Sequence, residues 1–286
     1  MKIKITADST CDLSEEIIKR YNIGIIPVRI IMDNKEYADG VDISIEKLFE
    51  LVEKTGQLSQ TAATNPTTFQ EFFDKQLKSD GGYDAIIHFD ISSKISSLYQ
   101  NAQIASQEFD NKVFVVDSQS LSTGVGIQML YACDLVAKGL PADEIYEKIM
   151  TRRPAAQASF IIDTLKFLHK GGRCSGLAMF GANLLKIKPI IVLKDGVLDV
   201  DAKPRGKYKE AVMKYVDYIL DKFSNPDKTR CFLTYTTLDN EILKMIYDRI
   251  KPIFKEIHIT RAGCTVATHC GPNTVGILYY SDGGAK

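Results

Sequence analysis

Short apolar runs alternate along the chain with stretches whose apolar residues recur at helical spacing. Ile3–Thr6 predicts a strand, and Leu13, Ile17, Ile18 and Tyr21 fall on one face of a helix predicted over Leu13–Tyr21. Ile25–Met32 is β-rich, with Pro27 marking an edge or a strand start because proline donates nothing to a ladder. Ser44 caps a helix that turns Ile45, Leu48, Phe49 and Val52 inward. Asn65-Pro66 sets a capping residue before a proline at the first helical position, and Phe69, Phe72, Phe73 and Leu77 follow at helical spacing. Ala85–Phe89 reads as a buried strand and Ile91-Ser92-Ser93 as a polar turn. Tyr99, Ala102 and Ala105 begin the next helix, and Val113–Val116 is the next strand. Strand, polar turn and helix in repetition describe βα units on a parallel sheet, where ligands lie at the carboxyl ends of the strands.

The pattern changes near Arg152-Arg153-Pro154. Ala158–Ile162 predicts a strand, and Asp163–His169 a short helix stopped by Gly171-Gly172. Pro189–Leu193 and Val197–Val200 flank Asp195-Gly196, a strong hairpin signal. Helices over Tyr208–Phe223 and Asn240–Ile250 alternate with strands Cys231–Tyr235 and Glu256–Ile259, and Gly276–Tyr280 is the last strand. The expected fold class is α/β with two domains. Residues 1–155 form an N-terminal α/β/α domain with a mainly parallel sheet, and residues 156–286 a C-terminal α/β domain with a mixed sheet. A cleft between two such domains is a common place for a ligand.

Composition narrows the partners. Among 286 residues, 36 basic side chains balance 36 acidic ones, which argues against nucleic acid held mainly by electrostatics. No polybasic cluster suggests a membrane tether, and no run is long enough to span a bilayer, so no stable membrane insertion is expected. The start, Met1–Asp8, reaches charge too soon for a signal peptide. Six cysteines without CxxC pairing read as reduced thiols of a cytoplasmic protein. Cys264, His269 and Cys270 lack zinc spacing, and dinucleotide, Walker and HExxH motifs are absent, so neither metal nor cofactor is expected.

Two loops carry candidate chemistry. Thr61–Asn65 and Ser92–Ser97 each place hydroxyls ahead of a helix, where backbone donors and the helix dipole favour an anion. The plainer reading is that these hydroxyls cap or turn the backbone. His269 lies in Thr268-His269-Cys270-Gly271-Pro272, read as a turn before a strand. Arg173 follows Gly171-Gly172, and Arg205 ends Lys203-Pro204-Arg205. Such cations neutralise carbonyl ends or contact a phosphate or an acidic partner. Ser93 with His269 also makes a serine esterase or hydrolase conceivable, because triads are recognised by geometry, although no GxSxG is present. A binding module for a small polar ligand is the third reading.

These segments together resemble the DegV family of bacterial fatty-acid-binding proteins, the lipid carriers of fatty acid kinase. The likeness begins with Ala7-Asp8-Ser9-Thr10-Cys11-Asp12-Leu13 and Thr61-Ala62-Ala63-Thr64-Asn65-Pro66. It continues through Ile91–Tyr99, Val116-Asp117-Ser118, Thr164–Leu168 with Gly171-Gly172-Arg173, Leu185-Lys186-Ile187-Lys188-Pro189 and Lys203-Pro204-Arg205-Gly206, and closes at Thr268–Pro272. The resemblance implies one long-chain fatty acid in a tunnel between the domains, its carboxylate held by Thr61, Ser93 and His269. It also implies that Arg173 stands near the carboxylate end, where a partner kinase forms an acyl phosphate and the carrier supplies no catalytic nucleophile. In this chain Ala62-Ala63-Thr64 stands where the family has Ser-Gln-Pro, Ser97-Leu98 where Gly-Thr is usual, and Asn273 follows Pro272 where glycine is common.

Overall fold

The computed structural model describes residues 1–173 and 188–284; Cys174 and Leu185-Lys186-Ile187 lie outside them. The first part of the chain runs β1 (Ile3–Asp8), α1 (Glu15–Arg20), β2 (Gly24–Ile26), β3 (Arg29–Met32), β4 (Lys35–Ala38) and α2 (Ile45–Thr55). It continues with β5 (Gln60–Ala62), α3 (Pro66–Lys78), β6 (Ala85–Asp90), α4 (Leu98–Ser106), β7 (Val113–Asp117), α5 (Thr123–Ala137) and α6 (Ala142–Arg152). Strands β2-β1-β6-β7, in that order, form a fully parallel sheet. Every residue of β1 and β6 is buried, as expected of a sheet covered on both faces. Several polar members bond internally, although Asp90 Oδ2 is buried without a partner among the described residues. His88 bonds Thr6 at 2.8 Å and Asp90 at 3.3 Å, and its ring packs edge-on against Phe69 and Phe73.

The stretch Ile25–Met32, read above as one strand, is two. Residues up to Ile26 join the parallel sheet, whereas Arg29–Met32 pairs antiparallel with β4 and β5 in a separate three-stranded sheet. Pro27 separates the two pairings, since it has no N–H for either ladder. The expected caps form: Ser44 accepts from the Lys47 N–H and Asn65 from the Thr68 N–H, with Pro66 opening α3.

The second part runs β8 (Ala156–Gln157), β9 (Ser159–Ile161), α7 (Lys166–Gly171), β10 (Ile190–Lys194), β11 (Val197–Ala202) and α8 (Tyr208–Lys222). After these come β12 (Arg230–Tyr235), α9 (Asn240–Ile250), β13 (Glu256–Arg261), α10 (Cys264–Cys270) and β14 (Val275–Tyr280). The sheet order is β11-β10-β9-β14-β12-β13, with β8 also pairing β14. Its pairings are antiparallel except β12 with β13, which makes the sheet mixed. Asp195 and Gly196 both have positive φ, 50° and 80°, as a two-residue hairpin turn requires.

Helix α5 lies between the two sheets, touching β1 and β6 on one side and β12 and β14 on the other. It is apolar around most of its circumference, with Tyr131 and Asp134 half-buried and Ala137 exposed toward its end. One core cluster therefore runs from Ile5 and Phe89 through Met129 and Leu130 to Phe232 and Ile277. The chain passes from the parallel to the mixed sheet at the short turn Arg153–Ala155.

A cavity between the two sheets as the candidate functional site

Helix α10 belongs by sequence to the second part, yet the first part holds it along its whole length. Asp12 accepts from the Gly263 N–H at 2.7 Å. Asp39 accepts from the N–H groups of Cys264 at 2.8 Å and Thr265 at 3.2 Å, and from the Ser9 hydroxyl at 3.0 Å. These carboxylates satisfy donors that the start of a helix leaves unpaired. Burial pushes the Asp12 carboxyl well above its ordinary range, against the lowering effect of hydrogen bonds from Ser122 and Gly263. Further along, Ser59 and Thr268 share a hydroxyl bond of 2.8 Å. At the last turn, Thr61 Oγ1 and His269 Nε2 lie 2.9 Å apart. Apolar contact of Ile30, Ile43 and Leu48 with Cys264 and Ala267 completes the clamp.

His269 thus sits in a helix, not in the turn expected from sequence. Thr61 sits on β5, four residues ahead of the α3 cap, and not at a helix start. Burial, with the Arg173 guanidinium nearby, lowers the His269 imidazole to about 4, so it is neutral at pH 7. Its Nδ1 is buried and unpartnered among the described residues. That side of the ring faces Gly171, where a Cβ would come within 2.4 Å of Nδ1, so only glycine leaves room for this ring position.

Three spaces meet around α10. An outer one of about 230 Å³ is lined by Ser59, Gln60, Lys170 and Thr268, together with Thr61, His269 and Arg173. The last three also line an inner chamber of about 140 Å³ with mostly aliphatic walls, among them Val28, Ile91, Leu98, Leu168 and Leu198. Leu121, Val266 and Cys270 are shared between that chamber and a narrow slot of about 20 Å³ that reaches Phe160 and Leu278. Polar groups therefore mark one end, and apolar walls continue from there between the two sheets. Both parts of the chain contribute walls, so the chamber exists only in the assembled fold.

Ser93 is not brought to this cavity. Its hydroxyl donates to Asp117 Oδ2 at 2.6 Å and its N–H to Asp117 Oδ1 at 3.1 Å, so the residue ties the end of β6 to the end of β7. Ser96 and Ser97, on the same turn, line the chamber in its place. The Ser93–His269 pair of the hydrolase reading is not assembled, since the imidazole meets Thr61. Arg173 lies where both outer and inner spaces meet, exposed, with a bond to the Gly171 carbonyl at 2.6 Å. Arg205 is exposed beyond the hairpin, and its carbonyl accepts from Lys214. At the opposite end of the hairpin, the turn docks on the first part, with Ser92 Oγ donating to the Gly196 carbonyl at 2.7 Å.

Sequence reasoning flagged the Ser92–Ser97 loop without singling out Ser96 and Ser97, and it missed Thr10 and Thr265 on the chamber wall and the anchoring roles of Asp12 and Asp39. The signal available for α10 was its bracketing by Gly263 and Gly271, which fits a short helix between two loops.

Comparison with known proteins agrees with this fold. The family described as "Uncharacterised protein, DegV family" matches residues 2–282. A DegV domain-containing protein of Caldanaerobacter subterraneus is 33% identical, over 97% of this chain and 98% of its own. A fatty-acid-binding DegV family protein from Thermus thermophilus superimposes with a TM-score of 0.89 at 27% identity, covering 98% of this chain and 99% of that one. A DegV lipid-binding protein from Thermotoga maritima gives a TM-score of 0.86 at 25% identity, covering 98% of each chain. By fold and by sequence over nearly its whole length, this chain is a member of the DegV family.

Proposed function

We propose that the protein is a carrier for one long-chain fatty acid, with the carboxylate at Thr61 and His269 and the acyl chain directed through the chamber toward the slot. The observation that carries this reading is the adjacency of the three spaces, which share wall residues and are polar where Thr61, His269 and Arg173 meet and apolar beyond. Each buried methylene contributes about 0.8 kcal/mol, so apolar walls alone retain a long chain without a covalent bond. The headgroup then needs orientation more than countercharge. A neutral imidazole and a hydroxyl orient it without leaving a buried cation, while the exposed Arg173 adds attraction from the outer side. Ser93 serves the site indirectly, fixing through Asp117 the turn that carries Ser96 and Ser97. In this reading the carrier performs no chemistry, and the partner implied by the family resemblance is a fatty acid kinase that approaches the carboxylate end beside Arg173.

Native mass spectrometry tests the proposal. Protein purified without detergent should carry an added mass equal to a fatty acid, and stripped protein should take up palmitate at a ratio of one. Protein that stays empty after several expression hosts and after incubation with long-chain fatty acids overturns it. Labelling of Ser93 by a fluorophosphonate probe points instead to the hydrolase.

A further inference from the structure

The hairpin of β10 and β11 reaches farther than the sheet that carries it. Its pairing with β9 ends at Val192, the next bond runs from the Leu193 N–H to the Ala158 carbonyl at 3.0 Å, and residues 194–197 project beyond. On the other side, β11 is the last strand of the sheet. The base of the hairpin is pinned to the second part, where Asp201 accepts from Tyr218 at 2.6 Å and from Lys222 at 2.6 Å, both on α8. The tip instead meets the first part. The Gly196 carbonyl accepts from Ser92 Oγ, and a Cβ on Gly196 would lie 2.4 Å from that oxygen, so a side chain there would hold the turn away.

One face of this arm is apolar. Ile191 lies opposite Val200 and Leu193 opposite Leu198, and all four pack on a cluster that includes Ile91 and Leu98 of the first part. Leu198 is buried and forms part of the chamber wall, as do Ile91, Ile95 and Leu98 across from it. The seam between the hairpin and residues 92–98 is therefore aliphatic on both sides. The other way into the chamber, through the outer space, passes Gln60, Lys170 and Arg173 and then Thr61 and His269. A lipid threading in there moves methyl end first between polar and charged groups that hold water. Through the seam, an acyl chain meets aliphatic side chains along its length, and no polar group has to be stripped of water to let it pass.

We propose that the β10–β11 hairpin is the lid of the chamber: its tip lifts from Ser92, Leu198 withdraws, and the acyl chain enters and leaves sideways between the hairpin and residues 92–98. The proposal rests on the fatty-acid reading above and assigns that site its route of exchange. A strand with one neighbour and a tip tied by a side-chain hydrogen bond separates from the fold at low cost, while Asp201 keeps the base in place as a hinge. Lifting the tip exposes Leu193 and Leu198 to water, and their return to the cluster closes the lid again.

Exchange of bound palmitate for deuterated palmitate, followed by native mass spectrometry on the full chain, tests it. An ideal Cβ on Gly196 stands 3.5 Å from Ser92 Cβ, a separation that a disulfide bridges. The oxidised double variant Ser92→Cys, Gly196→Cys should lose exchange over the time in which the same protein, reduced, exchanges fully. In Ser92→Ala, capture and release should both run about fivefold faster, the equivalent of one hydrogen bond, with affinity as in the wild type. Equal exchange in the oxidised and reduced forms overturns the lid and moves the route to the outer space. Unchanged rates in Ser92→Ala do the same, and decide the matter if no disulfide forms. A lower affinity with an unchanged capture rate makes Ser92 a support of the chamber and also overturns the lid. Palmitate that exchanges regardless of the hairpin leaves the carrier standing; failure of the wild type to bind palmitate removes the carrier as well.

Discussion

The two ends of α10 treat negative charge in opposite ways. At its start the protein supplies its own carboxyl groups, and Asp12 and Asp39 occupy the Gly263, Cys264 and Thr265 N–H groups. At its end stand a neutral imidazole and a hydroxyl that, among the described residues, bond only each other, with a cation outside. The anion-friendly backbone of this helix is therefore spent on architecture. The place left for a foreign carboxylate is built from side chains. Carboxylates locked into a fold cannot exchange, whereas a hydroxyl–imidazole pair yields to a stronger acceptor and closes again when it leaves.

Removing the fixed end should have the largest effect. Asp39→Ala strips three donors of one charged acceptor and is expected to cost about 3 kcal/mol or more of folding free energy, read by urea denaturation. A loss below about 1 kcal/mol would mean that the anchor is dispensable. At the exchangeable end the balance reverses. Thr61→Val should weaken fatty-acid retention by about 1–3 kcal/mol in displacement titrations, with a smaller change in stability. Unchanged affinity takes Thr61 out of the site.

The pH response separates the two ends further. His269 sits at about 4, below the ordinary histidine value of 6.5, so the folded chain binds fewer protons there than the unfolded chain. Its contribution to stability is therefore present above about 6.5 and is lost as pH falls toward 4. A bound carboxylate raises the same imidazole, so binding takes up a proton and affinity should strengthen several-fold from pH 7 to pH 5. His269→Gln should flatten that dependence; a wild-type affinity that is level over this range argues against contact. Ser93→Ala, by comparison, should lower stability by about 1 kcal/mol through Asp117 and leave fatty-acid affinity unchanged. A matching loss of affinity would return Ser93 to the headgroup. Smallest of all, Arg173→Ala should weaken binding by about 0.3–1 kcal/mol, a difference that fades with added salt because the residue is exposed.

Much of this fold was legible in the residues. Asn65-Pro66, Ser44 and Asp195-Gly196 fixed element starts and a turn through local chemistry, and each lies where its chemistry requires. The rest depended on non-local packing. Helix α5 lacks an apolar stripe because both of its sides are buried, so helical periodicity has nothing to report there. Helix α10 is seven residues, Cys264–Cys270, with two threonines and a valine, and owes its shape to Asp12 and Asp39 far upstream. The same limit applies to the site. A threonine, a serine and a histidine at family positions gave no spacing from which to see that Thr61 meets His269 while Ser93 meets Asp117.

The bond from Gly263 to Asp12 spans 251 positions of sequence. During synthesis at roughly 5–20 residues per second, Asp12 waits roughly 10–50 s for the segment that will satisfy it. Through that interval Asp12 and Asp39 lack the backbone groups they hold in the finished protein, and the chamber lacks the wall that α10 provides. Ligand capture is thereby timed as well as shaped: a nascent chain cannot close around a lipid before the segment that forms α10 has been made.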